Sequence, residues 1–321
     1  MFCFTVVTVL PLAAADQAAH QLLDQGRVDD ALALLENQVR SAPENAEAHS
    51  LLCRVYLTVE QWDAAIAACE RAVKLDPENS GYHLWLGRSY GEKAEHAGSL
   101  AAGRLALSVR DQFETAVRLN PKSVDARGDL ADFYLQAPWF LGGGTQKAEN
   151  QAQELAKLEP AQADLLRARI AEKNKELAAA EREYQRAIGD SGGAAGPWLA
   201  FARFYRRVSR FDEMEQAIGR ATAPQQNRPD VLVDAAEILV QSGNLAGAAR
   251  LLERYLSSPT SVEDAPVFKA HYLLGTVLER QGHPQQAIAQ YQAALSLARD
   301  FVPARSAIER LGGTARSGVA H

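Results

Sequence analysis

Cysteine, methionine and aromatic residues are scarce in this chain: three Cys and two Met among 321 residues, with Phe, Trp and Tyr together at 7%. No Cys-x-x-Cys pair occurs, which removes thioredoxin-type redox chemistry and haem attachment. The seven histidines show no metal-ligand spacing, so neither a metal nor another cofactor is expected. Basic charge is not in excess either. Lys and Arg number 34 against 40 Asp and Glu, a net charge of −6, which disfavours whole-surface attraction to nucleic acid or anionic membrane. No stretch supplies the roughly 20 apolar residues of a bilayer-spanning helix. Serine–histidine–aspartate sets, paired carboxylates and nucleotide loops are all without supporting context. Residues 142–147 (GGGTQK) lack the G-K-[ST] ending of a phosphate loop. No enzyme is indicated.

What is abundant is alanine. Hydrophobic residues make up 47% of the chain, and a composition so weighted to small side chains suits closely packed helices rather than sheets. The N-terminus reads MFCFTVVTVLPLAAADQ. An apolar run ending in Ala13-Ala14-Ala15 matches a signal-peptidase site, so residues 1–15 are expected to be a signal peptide and the mature protein to be periplasmic in a bacterium, or secreted. The run lacks a basic segment before it. The alternative is a cytoplasmic protein with a misassigned start, whose apolar run caps the first helix. Cys3 precedes the run, which excludes a lipoprotein.

Residues 46–77, AEAHSLLCRVYLTVEQWDAAIAACERAVKLDP, contain two short amphipathic patterns back to back. Leu52, Cys53 and Tyr56 mark the first, Ala65, Cys69 and Ala72 the second, and Pro77 ends the second helix. In order and spacing this stretch resembles a tetratricopeptide repeat, a helix–turn–helix of about 34 residues. Variants recur from about residue 16 to 311. They are clearest at Leu86, Gly87, Tyr90, Phe113 and Ala116, and at Leu274, Gly275, Leu278, Tyr291 and Ala294. The resemblance implies an all-α fold, a right-handed α-α superhelix of about eight units plus a C-terminal capping helix.

Residues 16–190 are expected to hold five units and 191–311 three units and the cap, with 312–321 a disordered tail. Pro77 to Pro121 spans 44 residues, about ten more than one repeat, so residues 91–107 should lengthen both helices of the third unit. A second insertion covers 137–145. The fifth unit is degenerate, with Asp164 and Arg167 where apolar residues belong.

The resemblance further implies a scaffold that binds a protein or peptide, an extended segment or helix, along the concave face lined by the first helix of each unit. Exposed positions there carry Arg54, Arg88, Asp132, Arg203 and Arg206. An arginine fork takes a carboxylate bidentately, so Arg54 and Arg88 would hold an acidic segment or a chain terminus. The Lys and Asn set of the chaperone-terminus clamp is absent. Trp139 and Phe140, before Gly142-Gly143-Gly144, either tuck between units as a plug, the preferred reading, or present an anchor to a partner. Cys53 and Cys69 fall on helices that pack together. They form a disulfide if their Cα atoms come within about 7 Å, and otherwise serve as small hydrophobes. A contrasting reading, a small-ligand or catalytic pocket around units three and four, requires His83, Tyr90, His96 and Trp139 to converge.

Overall fold

A computed structural model describes residues 12–226, 228, 230–257 and 265–317. Among these described residues, helices pair in chain order into eight units. The first four are α1 (Leu12–Asp24) with α2 (Val28–Ser41), α3 (Ala46–Thr58) with α4 (Trp62–Leu75), α5 (Ser80–Glu95) with α6 (Ser99–Leu119), and α7 (Val124–Gln136) with α8 (Thr145–Leu155). Then follow α9 (Pro160–Lys173) with α10 (Leu177–Asp190), α11 (Ala195–Arg207) with α12 (Phe211–Ala221), α13 (Asp230–Ser242) with α14 (Leu245–Leu256), and α15 (Val267–Arg280) with α16 (Pro284–Leu297). The last helix, α17 (Val302–Ser317), caps the stack and runs past Leu311, where the sequence suggests a disordered tail. The expected signal peptide lies outside the described residues as far as residue 11, and residues 12–15 open α1. Among the described residues no helix is long and apolar enough to cross a membrane.

Local chemistry explains the starts and stops. Asn45, Asn79, Ser123 and Asn244 cap α3, α5, α7 and α14 by accepting from backbone N–H groups of the first turn. The expected lengthening of the third unit is present: α5 has 16 residues and α6 has 21.

Within a unit the two helices meet through a small residue facing a larger one. A Cβ on Gly87 would lie 2.5 Å from the Phe113 ring, and one on Gly275 would lie 2.6 Å from Tyr291. In the second unit the corresponding residues are Cys53 and Cys69, bonded as a disulfide with Cα atoms 5.3 Å apart.

Between units, two hydrogen bonds recur. Tyr56, Tyr90 and Tyr134 each donate to a glutamate on the preceding helix, Glu36, Glu70 and Glu114, at 3.3, 2.7 and 2.8 Å. His49, His83 and Arg127 each donate to the carbonyl of the proline in the preceding loop, Pro43, Pro77 and Pro121. His83 and Arg127 also reach an amide on their partner helix, Gln112 and Gln151, both at 2.7 Å. The proline that stops one unit therefore also fixes the entry of the next.

The buried core does not break at residue 190, where the sequence suggests a boundary. One apolar cluster runs from Ala168 to Val277 across it. Another joins the two ends of the stack, combining Ala31, Leu35 and Cys53 with Phe268, Tyr291 and Phe301. Asp29 on α2 accepts from the backbone N–H of Arg299 at 3.1 and 3.2 Å. The eight units thus bend round until the last meets the first, and the inner faces of the first helices enclose a common groove.

Gly275→Ala is expected to destabilise the chain by about 1–3 kcal/mol through the clash with Tyr291, read as a lower midpoint in urea unfolding. Tyr134→Phe should cost about 0.5–1.5 kcal/mol by removing one link between units.

Candidate functional site: the inner groove

A cavity of about 750 Å³ lies on the inner side of units two to four. Aromatic side chains wall it: Trp62 where α4 begins, Trp85 on α5, Phe113 on α6 and Phe133 on α7. Across the groove, Lys269 of α15 also lines it, a contribution that exists only because the stack closes. Glu92 and Glu95, on the last turn of α5, and Glu60, in the turn between α3 and α4, face the same space. A second cavity of about 390 Å³ continues the groove toward units five and six and shares Asp129 and Asp132 with the first.

The guanidinium carbons of Arg54 and Arg88 lie over the Trp85 ring, 4.9 and 4.7 Å from its centroid, a favourable cation–π placement. Arg88 lines the cavity but also donates to Asp129 at 2.6 Å. Asp132 lies on the groove wall, ion-paired with Arg169 of α9. Burial still holds the Asp132 carboxyl above the usual carboxylate range, against the pull of Arg169. Arg203 lines the smaller cavity, 3.6 Å from Asp234. Arg206 is half-buried, and its Nε has no hydrogen-bond partner among the described residues.

Two expectations need correcting. Trp139 and Phe140 are not a plug. They sit on a short 3-10 turn, 84% and 66% exposed, edge-to-face with each other at 5.9 Å. The glycines after them are needed because the chain doubles back: a Cβ on Gly143 would lie 1.9 Å from the Ala137 carbonyl oxygen. The residues required for a small-ligand pocket also fail to converge. His83 is buried against Pro77 and Gln112, Tyr90 bonds Glu70, and Trp139 faces solvent. Only His96 lines the cavity, stacked on Trp62 at 5.4 Å with the rings 7° from parallel. In the degenerate fifth unit, Asp164 is buried beside Arg167 at 3.2 Å, so a charge pair stands where an apolar contact was expected.

Sequence reasoning missed Trp62, Glu92, Glu95 and Lys269. The acidic pair one helical turn apart on α5 was visible, but its facing the groove follows from the lengthening of that helix. Nothing local in the sequence points Lys269 at units two to four.

The Glu92 carboxyl is pushed above the usual carboxylate range, first by burial within the groove and then by the charge of Glu95, with Lys269 and His96 pulling the other way. Among the described residues neither Glu92 nor Glu95 has a hydrogen bond or ion pair to its carboxylate.

Family models for the tetratricopeptide repeat match residues 22–88 and 233–300. Similar solved structures include a thermophilic TPR protein of Thermus thermophilus, at 19% identity and TM-score 0.49, covering 72% of this chain and 100% of that one. A tetratricopeptide repeat protein of Parabacteroides merdae aligns at 14% identity and TM-score 0.46, over 94% of this chain and 98% of that one. No curated protein matches.

Because the native state raises the Glu92 pKa, it holds that proton to higher pH than the unfolded chain. Ionised Glu92 therefore costs stability. The cost is absent below the unfolded carboxylate range, near pH 4, grows as pH rises from there toward the elevated native pKa, and is complete above that native value. Glu92→Gln should stabilise the chain at pH 7, by under about 1 kcal/mol for this partly solvated group, read as a higher thermal unfolding midpoint. It should leave the midpoint unchanged near pH 3.

Proposed function

As a tetratricopeptide-repeat protein, this chain is, we propose, a protein-interaction scaffold that holds an extended segment or helix of a partner along its inner groove. The observation that carries this reading is the groove wall of units two to four, where aromatic and charged side chains line a cavity of about 750 Å³. A stack of packed helices presents such a groove already formed, so the partner alone bears the ordering cost. His83, Tyr90 and Trp139 do not join His96 at this cavity, and the scaffold reading does not need them there.

The finer reading is an exported adaptor or assembly factor. Its support is the signal-like N-terminus and the Cys53–Cys69 pair, bonded at a Cα separation of 5.3 Å, as an oxidising compartment permits.

A photo-crosslinking residue at Arg88 in the native organism should capture a partner, while one at the exposed Glu253 of α14 should not. Equal capture from both positions would sink the groove reading. For the compartment, the purified native protein should begin at Asp16, and Cys53 and Cys69 should resist alkylation until reduced. An intact residue 1 with freely alkylated cysteines would place it in the cytoplasm. Replacing both cysteines by alanine should cost about 3 kcal/mol for a loop of this length.

A further inference from the structure

The sequence alone suggests that Arg54 and Arg88 receive an acidic segment. The charges around the cavity argue for the opposite sign. Arg88 is engaged by Asp129 at 2.6 Å, and Asp132 by Arg169. With those pairs set aside, Glu60, Glu92 and Glu95 face the cavity against Lys269 and the imidazole of His96. Its walls are the rings of Trp62 and Trp85, and Trp85 already carries the guanidiniums of Arg54 and Arg88 at 4.9 and 4.7 Å. An aromatic wall with surplus carboxylate suits a side chain that is cationic at its tip and apolar along its stem. Lys269 reaches this space from the far end of the chain, an intramolecular cation in a place that favours cations.

We propose that the cavity of units two to four receives a lysine or arginine side chain of the partner, so that the recognised segment is basic where it crosses α3, α5 and α7. This rests on the groove reading above and adds the chemistry of the occupant. The incoming cation packs its stem on the aromatic wall and brings its charge to Glu92 and Glu95. Lys269 competes with it. Charge complementarity of this kind sets register and partner choice as much as affinity.

The test uses the full chain with its disulfide intact and three capped, fluorescently labelled octapeptides, alternating Ala with Lys, Ala with Glu, and Ala with Leu. Binding is read by anisotropy at physiological salt, where long-range attraction to the net charge is screened. The lysine peptide should bind best. Glu92→Gln with Glu95→Gln should weaken it by about 2- to 25-fold, taking about 1.4- to fivefold for each partly solvated pair. Lys269→Ala should tighten it by about two- to fivefold. Glu253→Gln, outside the cavity, should change nothing. Thermal unfolding of each variant separates lost binding from lost fold.

Preference for the glutamate or leucine peptide overturns the inference, and so does lysine-peptide binding that ignores the double substitution. No binding of the lysine peptide overturns it as well, and so does a segment crosslinked from Arg88 that contains neither Lys nor Arg. In all these cases the groove reading stands or falls separately, on whether Arg88 and Glu253 crosslink alike.

Discussion

Two helices lie this close only where one of the facing side chains is almost absent. The third and eighth units meet that constraint with glycine, Gly87 under Phe113 and Gly275 under Tyr291. The fifth and seventh use alanine on the first helix and a larger residue on the second, Ala168 with Tyr184 and Ala236 with Leu252, all four buried. The second unit replaces packing with a covalent bond between Cys53 and Cys69. Larger residues on the opposite sides of the helices then fill the space between units, so one local distance sets the geometry of the whole stack.

That distance is passed along by polar links. A tyrosine reaching a glutamate on the preceding helix, and a histidine or arginine reaching the proline carbonyl before its own helix, fix how each unit follows the last. A carbonyl just past a helix stop has no partner within that helix, so a donor from the next unit satisfies it and orients the unit that supplies it. Repeats held at nearly constant offsets accumulate curvature. Here it brings Asp29 to Arg299 and places Phe301 in one core with Leu35.

The helical units were legible because their signals are local: small residues at close approaches, asparagine and serine caps, proline stops. The longer third unit could be read from the distance between prolines. What was not legible depends on the sum of many small rotations. Arg54 and Arg88 are legible as groove residues, but Arg54 lies over Trp85 and Arg88 pairs with Asp129, each on the next unit's first helix, and this argues against the acidic ligand that they suggest by themselves. Trp139 and Phe140 misled for a different reason. Large aromatics usually bury, and only the doubling back of the chain at Gly143 shows that here they point outward.

Closure also gives the groove a property that an open stack lacks. In an open array its width varies with every inter-unit angle. Here α15 is tied to the first units through a shared core, with Phe268 and Phe301 edge-to-face at 5.0 Å and Tyr272 against Phe301 at 5.2 Å. Lys269 stands one residue from Phe268, so the cation opposite Glu92 is held by the same contacts that close the stack. The packing of the last unit thus places a charge in a cavity built mainly from the second to the fourth.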